Sequence, residues 1–363
     1  MSEIILGSVL RALAVEFPRQ SYRLMTKVGR YGPVKEDFDY SPQSIRRSVM
    51  RSLQRLNSTY LDVVCLHDVE FIASPVWPIP YCGDFERALN DKEGRADWGL
   101  LPGKEGKAWG AGDESILAAV RELFKMKSEG IIRAIGISGM NGPASAHGMI
   151  LTSAGYPLPT LLRIARLVLN SEPFQPLDVV MSYSHSTLQN SRFEQYLPHF
   201  LSLGRVSQVL TASPFSMGLL TPNPPHWHPA PPDLLQAAKF AHTASSEWPG
   251  GIANLALGYS LRRPKVNGEN SPFNDVPTVV GVSNLNEVHE AIRVWREVSA
   301  LGVNVTRISQ EDMVKGIFQA AGWLNWSWSS PPNFAFDMQA FDNMGRRVRM
   351  DKSRFRAPAP SMT

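Results

Sequence analysis

The chain has 363 residues, of which 43% are hydrophobic and 19% are charged, and this composition is typical of a soluble globular enzyme. Its length suffices for one large barrel or two medium domains. The formal net charge of +4 does not indicate nucleic-acid binding, because much of the basic excess lies in one C-terminal tail. No apolar run is long enough to span a membrane, and the two cysteines, Cys65 and Cys82, suit a reducing compartment. We therefore expect a cytoplasmic protein that binds neither nucleic acid nor membrane.

Strand and helix signals alternate along the chain. An opening helix is predicted near Ser2, where apolar residues recur every three or four positions. A second helix is predicted to start at Ser41-Pro42, since Ser is a favourable cap and Pro a favourable first helical residue. Helices are also predicted between the later strands, and the last regular helix is expected at Leu285–Trp295. The predicted strands are Arg23–Val28, Leu61–Leu66, Ile131–Ser138, Asp178–Tyr183, Val209–Ser213 and Thr278–Ser283.

This alternation predicts a parallel sheet with right-handed crossovers. A closed (β/α)8 barrel has eight strands, so either two strands are missing or the sheet is open. The barrel domain is expected over residues 1–315, with a long inserted loop at 72–112 that is rich in Pro, Gly and aromatic residues. Loops of this length are usually functional or disordered, and an insertion without any role is an equal alternative. Residues 316–363 are expected to form a tail that is first aromatic and then basic.

Two residues able to do chemistry stand at the ends of consecutive predicted strands. Lys27 ends the first strand, and His67 directly follows the second. In a parallel α/β barrel, residues at the carboxyl ends of strands line the active site. A lone Lys is usually a solvated charge and a lone His usually a structural residue, but the pair in this arrangement predicts a catalytic site.

The strand-end motifs resemble those of the aldo-keto reductase family. The family pattern is carried by Met-Thr-Lys27, by Cys-Leu-His67-Asp-Val-Glu and by Ile-Arg-Ala-Ile-Gly-Ile-Ser138. The segments 213–221 and 224–231 are similar to its branch of D-arabinose and L-galactose 1-dehydrogenases. The resemblance runs from Ser2 to about Trp295 and implies a (β/α)8 TIM barrel, N-terminally truncated, with about six of eight strands recognisable.

The resemblance implies NAD(P)-linked oxidation or reduction at a carbonyl by a tetrad of Asp, Tyr, Lys and His. Lys27 matches the tetrad Lys and His67 the tetrad His. The two strands that carry the Asp and the Tyr in the family find no match here, so we expect that the chain begins late. Tyr31 is the only nearby candidate to replace the Tyr, and its alternative is to pack within its own loop.

The resemblance also implies a set of cofactor-binding residues. The family's Gln falls near Met181 or Ser182 and its stacking Tyr near Ala212, both departures from the family pattern. No Arg stands beside Gly281 to hold a 2′-phosphate, which favours NAD over NADP. The implied residues are Ser138, Gly139 and Ser182 at the nicotinamide, Ser213, Leu219, Gly281 and Ser283 along the phosphates, and Glu290 near the adenine.

Trp227 is expected to line the substrate pocket. Its neighbours His226 and His228 do not indicate zinc, because two His without a third ligand are weak evidence, and no metal is expected. The leading hypothesis is an oxidoreductase that transfers hydride at the anomeric or carbonyl carbon of an aldose or small aldehyde or ketone, as a monomer or homodimer. One alternative is a catalytically impaired pseudoenzyme or truncated gene product. The other is a secondary-metabolite carbonyl reductase, which the long loop over the pocket favours.

Overall fold

A computed structural model describes residues 2–32, 35–76, 83–139, 157–226, 228–262, 276–300 and 304–328. The predictions made for Cys82, Trp227 and the basic tail lie outside these residues. Among the described helices, none combines the length and the apolar composition needed to cross a membrane. The strands are β1 (Met25–Val28), β2 (Leu61–Leu66), β3 (Ile132–Gly139), β4 (Val179–Tyr183), β5 (Gln208–Ala212) and β6 (Thr278–Val279).

The described residues form eleven α-helices, which lie before, between and after these strands. They are α1 (Ser2–Ala12), α2 (Pro42–Leu56), α3 (Arg87–Asn90), α4 (Lys92–Asp97), α5 (Ala111–Ser128), α6 (Pro157–Leu169), α7 (Phe193–Ser202), α8 (Pro232–Ala244), α9 (Gly251–Leu261), α10 (Leu285–Ser299) and α11 (Val305–Ala320).

The six strands form one curled half-barrel in which neighbours in sequence are also neighbours in space. The order is β1-β2-β3-β4-β5-β6, and every pairing is parallel. Strand number, order and direction therefore confirm the fold predicted from the sequence. β6 is shorter than predicted, because only Thr278 and Val279 pair with β5.

The two faces of the sheet differ because side chains alternate along each strand. One row of side chains, in register across four strands, is buried in the main hydrophobic core beneath the helices. It consists of Val28, Leu66, Ile137 and Val180. The adjacent row points to the opposite, inner face of the half-barrel. It consists of Lys27, Cys65, Gly136 and Val179.

Helix α2 shows how the outer layer forms. The Ser41 side chain accepts a hydrogen bond from the Ser44 N–H, and Pro42 opens the helix, as predicted. The apolar stripe along the helix is buried against the sheet, each side chain contributing roughly 1.5–3 kcal/mol. Its predicted members are Ile45, Val49, Leu53 and Leu56.

The opening helix α1 was also predicted, and it packs closely on α2. A Cβ on Gly7 would lie 2.0 Å from the Arg55 carbonyl oxygen, so only glycine permits this approach. The apolar residues Ile5, Leu6 and Val9 are nevertheless largely exposed. Their regular spacing identified the helix, but it did not identify a buried face.

The insertion at 72–112 was predicted as a loop, and the described part of it corrects this prediction. It contains α3 and α4, and Phe85 and Trp98 are buried in the main core with their rings in edge contact. Its end is fixed by Asp113, whose carboxylate forms a bidentate pair with Arg163 of α6 at 2.6 and 3.0 Å. The composition suggested a loop because the helices are too short to show a period.

The prediction that no regular helix follows Trp295 is wrong, because α11 does. Asn304 caps α11, and Val314 and Phe318 are buried with α8 and α9 in a second core. The apolar period of α11 was masked, since its inner face also buries the charged residues Arg307 and Glu311. Trp323, Trp326 and Trp328 of the tail pack into the same core.

We expect Asp113→Ala to lower the free energy of unfolding by about 3–5 kcal/mol, because it leaves the buried Arg163 guanidinium without its partner. Glu114→Ala is the matched control. Its carboxylate is exposed in the same helical turn, so the loss should stay below about 1 kcal/mol. Urea unfolding of the three proteins measures both values, and equal losses would contradict the assigned role of the ion pair.

Candidate active site

The carboxyl ends of β1, β2 and β3 bring three of the predicted residues to one edge of the sheet. Lys27 lies on the inner face in register with Cys65, and its side chain is exposed. The His67 N–H donates to the Val28 carbonyl at 2.8 Å, which holds His67 level with the end of β1. Ser138 stands next to last in β3 and is buried. Cys65 is the buried thiol that was predicted, and burial raises its pKa to about 12.

His67 is a neutral imidazole in this environment. Burial lowers its pKa to about 4, and the charges of Lys27 and Arg30 act in the same direction, whereas Asp68 opposes them. The Nε2 atom lies 3.5 Å from an Asp68 carboxylate oxygen, and 27% of the side chain stays exposed. A neutral imidazole beside an exposed ammonium can accept a proton while the ammonium stabilises negative charge on oxygen.

Tyr40 is a residue of this site that the sequence analysis missed. Its buried hydroxyl donates to the His67 carbonyl at 2.8 Å, and burial raises its pKa well above the usual value. The ring lies against Gly29, where a Cβ would come within 2.5 Å of it and where φ is +97°. A tyrosine just before the Ser41-Pro42 helix start was the available signal, but only the folded loop brings it to His67.

Tyr31 lies in the loop that follows β1. Its side chain is 53% exposed, and its hydroxyl donates to the Ser44 carbonyl in α2 at 3.3 Å. The loop that carries it is closed by the Tyr31 N–H, which donates to the Asp37 carbonyl. The Tyr31 hydroxyl is thus engaged with α2, and its catalytic role stays a prediction.

The predicted nicotinamide-binding residues lie at the ends of β3 and β4. Ser138 and Gly139 are in register with Met181 and Ser182. The Ser138 hydroxyl donates to the Leu66 carbonyl at 3.3 Å, and the Ser182 hydroxyl is bonded to His185 Nδ1 at 3.2 Å. Both hydroxyls are therefore already engaged within the protein.

Within the described residues, the turn after β4 holds polar atoms that have no hydrogen-bond partner. The Ser184 hydroxyl and His185 Nε2 are both buried in this way. Ser184 also adopts φ +62°, which is unusual for a residue other than glycine. Unpaired buried polar groups and backbone strain concentrate at functional sites, so this turn belongs to the candidate site.

Two of the residues predicted along the phosphates shape the turn after β5. Ser213 adopts φ +61°, and its hydroxyl accepts a hydrogen bond from the Met217 N–H at 2.9 Å. The Leu219 side chain is buried in the second core, and its N–H donates to the Ser216 carbonyl. His228, next to Trp227, is buried and bonded to the same carbonyl at 2.9 Å, so it helps to hold this turn.

The remaining predicted residues lie at the start of α10. The space around Gly281 is open, and the Ser283 N–H donates to the Glu287 carboxylate at 2.5 Å. The Glu287 N–H in turn donates to the side chain of Asn284, the N-cap of α10, at 3.0 Å. Glu290 accepts from Asn254 at 2.8 Å and from Arg293 at 2.6 Å. Within the described part of the chain, no group of three His, Cys, Asp or Glu could hold a metal ion.

Comparisons with known proteins agree with the strand-end motifs. The model of the Aldo/keto reductase family matches residues 1–301. L-galactose dehydrogenase of Arabidopsis thaliana is 31% identical over 327 residues, covering 90% of this chain and 78% of that protein. D-arabinose 1-dehydrogenase of Saccharomyces cerevisiae is 30% identical over 337 residues, covering 91% and 80%. The resemblance inferred from the sequence is confirmed.

A solved structure supports the fold. The holo form of aldo-keto reductase AKR11C1 from Bacillus halodurans matches with a TM-score of 0.51 at 20% identity. The match covers 86% of this chain and 77% of that chain. At this identity the likeness concerns the arrangement of strands and helices alone.

We expect Tyr40→Phe to lower the free energy of unfolding by about 1–3 kcal/mol, because the buried His67 carbonyl loses its donor. Tyr31→Phe is the control, since it removes a hydroxyl from an exposed position and should change stability by less than about 0.5 kcal/mol. Urea unfolding measures both. If Tyr40→Phe is as stable as the unmodified protein, the hydrogen bond from Tyr40 to the His67 carbonyl does not stabilise the fold.

We also expect stability to fall as pH drops from about 6.5 towards 4. Burial lowers the pKa of His67, His185 and His228 to about 4, 3 and 4, so in this window the unfolded chain binds protons that the folded chain does not. Each such His contributes up to about 1.4 kcal/mol per pH unit. Urea midpoints at pH 7, 6 and 5 measure the slope. His185→Gln should reduce the dependence of stability on pH, whereas His226→Gln, at an exposed position, should not. Equal slopes in the two variants would refute the role assigned to the buried His185.

Proposed function

Since the chain belongs to the aldo-keto reductase family, a family of oxidoreductases, we propose that it transfers hydride at the anomeric or carbonyl carbon of an aldose or small aldehyde or ketone. Two relatives that match 90% or more of the chain carry the names of sugar dehydrogenases, which supports an aldose as the substrate. The observation that carries the proposal is that Lys27 and His67 stand at the carboxyl ends of the neighbouring strands β1 and β2.

A nicotinamide dinucleotide fits the chemistry of the neighbouring residues. Ser184 and His185 follow Ser182, which is implied at the nicotinamide, and they offer buried polar atoms that have no hydrogen-bond partner among the described residues. Tyr183 is in register with Ala212, the position of the family's stacking Tyr, and offers an aromatic ring on the same face of the sheet. When bound, the cofactor would supply or accept the hydride. Ser138, Gly139 and Ser182 would border its nicotinamide.

The phosphate and adenine parts would lie along Ser213, Leu219, Gly281, Ser283 and Glu290. NAD is the preferred form in this proposal, because no Arg stands beside Gly281 and the Glu287 carboxylate lies in the first turn of α10. Negative charge there disfavours an additional phosphate on the adenosine ribose. Trp227 remains the proposed substrate-pocket residue.

The chain's own residues provide the proton chemistry. In sugar oxidation, the anomeric hydroxyl must lose its proton as the hydride leaves its carbon. His67 is neutral above its pKa of about 4 and can accept that proton, whereas the Lys27 ammonium stabilises the alkoxide that develops. In the reverse direction, the protonated imidazole returns the proton to the carbonyl oxygen. Tyr31 could share this role only after its hydroxyl left the Ser44 carbonyl.

Lys27→Met is expected to lower kcat/KM by about 10²–10³-fold, the usual cost of removing one group that stabilises an oxyanion. His67→Gln should lower it by about 10²–10⁴-fold through loss of the proton acceptor. The matched control is Lys104→Met, which removes an exposed ammonium from the insertion and should leave activity unchanged.

The assay is nicotinamide absorbance with NAD⁺ or NADP⁺ and D-arabinose or L-galactose, and cofactor binding is measured separately by calorimetry. Turnover that Lys27→Met and His67→Gln leave intact would refute the assigned roles. Cofactor binding without turnover by the unmodified, folded protein, over a broad panel of sugars, aldehydes and ketones, would refute the enzymatic proposal in favour of a pseudoenzyme.

A further inference from the structure

Asp68 is linked to the ends of three neighbouring strands at once. Its carboxylate accepts a hydrogen bond from Nη1 of Arg30 at 2.6 Å, and Arg30 follows the end of β1. The same carboxylate oxygen lies 3.5 Å from Nε2 of His67, after β2. Its backbone N–H points to the Ser138 hydroxyl of β3 at 3.4 Å. No role was assigned to Asp68 from the sequence, and only 2% of it is exposed.

The Arg30 side chain has further contacts besides Asp68. Its Nε donates to the Gly32 carbonyl at 3.0 Å, and its guanidinium lies over the rings of Phe38 and Phe71 at 5.5 and 6.0 Å. These rings are also in contact with each other. A guanidinium fixed by stacking and by hydrogen bonds fixes the carboxylate that it binds, since the pair has little freedom to move.

The backbone of Asp68 supports the same conclusion. It adopts φ +60° and ψ +59°, the left-handed conformation that few residue types other than Gly, Asn and Asp accept readily. This conformation turns the chain directly after His67. Strained residues persist where surrounding contacts hold them, and they concentrate at functional sites.

We propose that Asp68 is a positioning residue that holds the His67 ring and the Arg30 guanidinium in fixed places beside Lys27. The proposal rests on the function proposed above and adds a residue to it. Asp68 acts through its neighbours and not on the substrate, because its carboxylate is buried and engaged with Arg30. Misplacement of a reacting group by about 1 Å can cost about 10²-fold in rate, and this is the scale of effect that losing Asp68 should produce.

Asp68→Asn is the decisive variant. Asn accepts the left-handed conformation and has nearly the same shape, so the change removes the charge and leaves the turn possible. We expect kcat to fall by about 10²-fold while the dissociation constant of NAD⁺ changes by less than about threefold. Asp68→Ala, which also loses the preference for this conformation, should lower kcat at least as far.

Asp62→Asn is the matched control. Asp62 is also a buried aspartate paired with an arginine, Arg19 at 2.7 Å, but it lies at the opposite end of β2. It should lower stability without lowering kcat. If Asp62→Asn and Asp68→Asn reduce thermal stability and kcat in the same proportion, Asp68 is merely structural and the proposal is overturned.

A second readout does not depend on activity. NMR follows the resonance of the His67 Cε1–H group as the pH is lowered from neutral. The resonance is assigned to His67 because it is missing from the spectrum of His67→Gln. The groups that act on His67 are Asp68, Lys27 and Arg30, and Asp68 is the one that raises its pKa. Asp68→Asn should therefore shift the resonance at neutral pH and move its titration to lower pH. An unchanged signal would overturn the proposal even if the unmodified protein proved inactive, whereas a shifted signal in an inactive protein would contradict only the proposed function.

Discussion

In the parallel ladder of β1, β2 and β3, residues in register lie side by side, so Lys27, Cys65 and Gly136 form one row on the inner face. A slip of one residue between β1 and β2 would turn Lys27 towards the helices, because side chains alternate along a strand. The apolar row of Val28, Leu66 and Ile137 opposes such a slip, since it would lose its place in the core. The register that builds the core thus also sets the positions of the residues proposed for catalysis.

At the mouth of the half-barrel, one neutral imidazole lies among positively charged side chains. Burial keeps His67 neutral, and the positive charges of Lys27 and Arg30 reinforce this effect. Arg30 is neutralised by Asp68, whereas Lys27 is exposed on the inner face. A neutral base next to an exposed ammonium suits the removal of a hydroxyl proton, and the neutral state of His67 follows from its burial.

Two segments that follow strands contribute residues to the hydrophobic cores. The insertion after β2 packs Phe85 and Trp98 into the main core, and Arg163 anchors its end. At the other side of the molecule, α11 and Trp328 close a second core over the turn after β5, where the Trp328 ring meets His228 at 4.8 Å. The turns that border the proposed cofactor site are therefore supported by elements distant in sequence.

The sequence by itself determined the number, order and type of the strands, the cap of α2 and the strand-end positions of Lys27 and His67. These follow from local patterns, because apolar runs, Ser-Pro caps and strand-end residues are readable within a few positions. The tertiary structure alone decided that Tyr40 bonds the His67 carbonyl, that Arg30 pairs with Asp68, and that the insertion and α11 join the cores. The physical reason is distance along the chain: Tyr40 and His67 are 27 positions apart and Arg30 and Asp68 are 38 apart, and no local pattern encodes contacts that only the packed strand ends create.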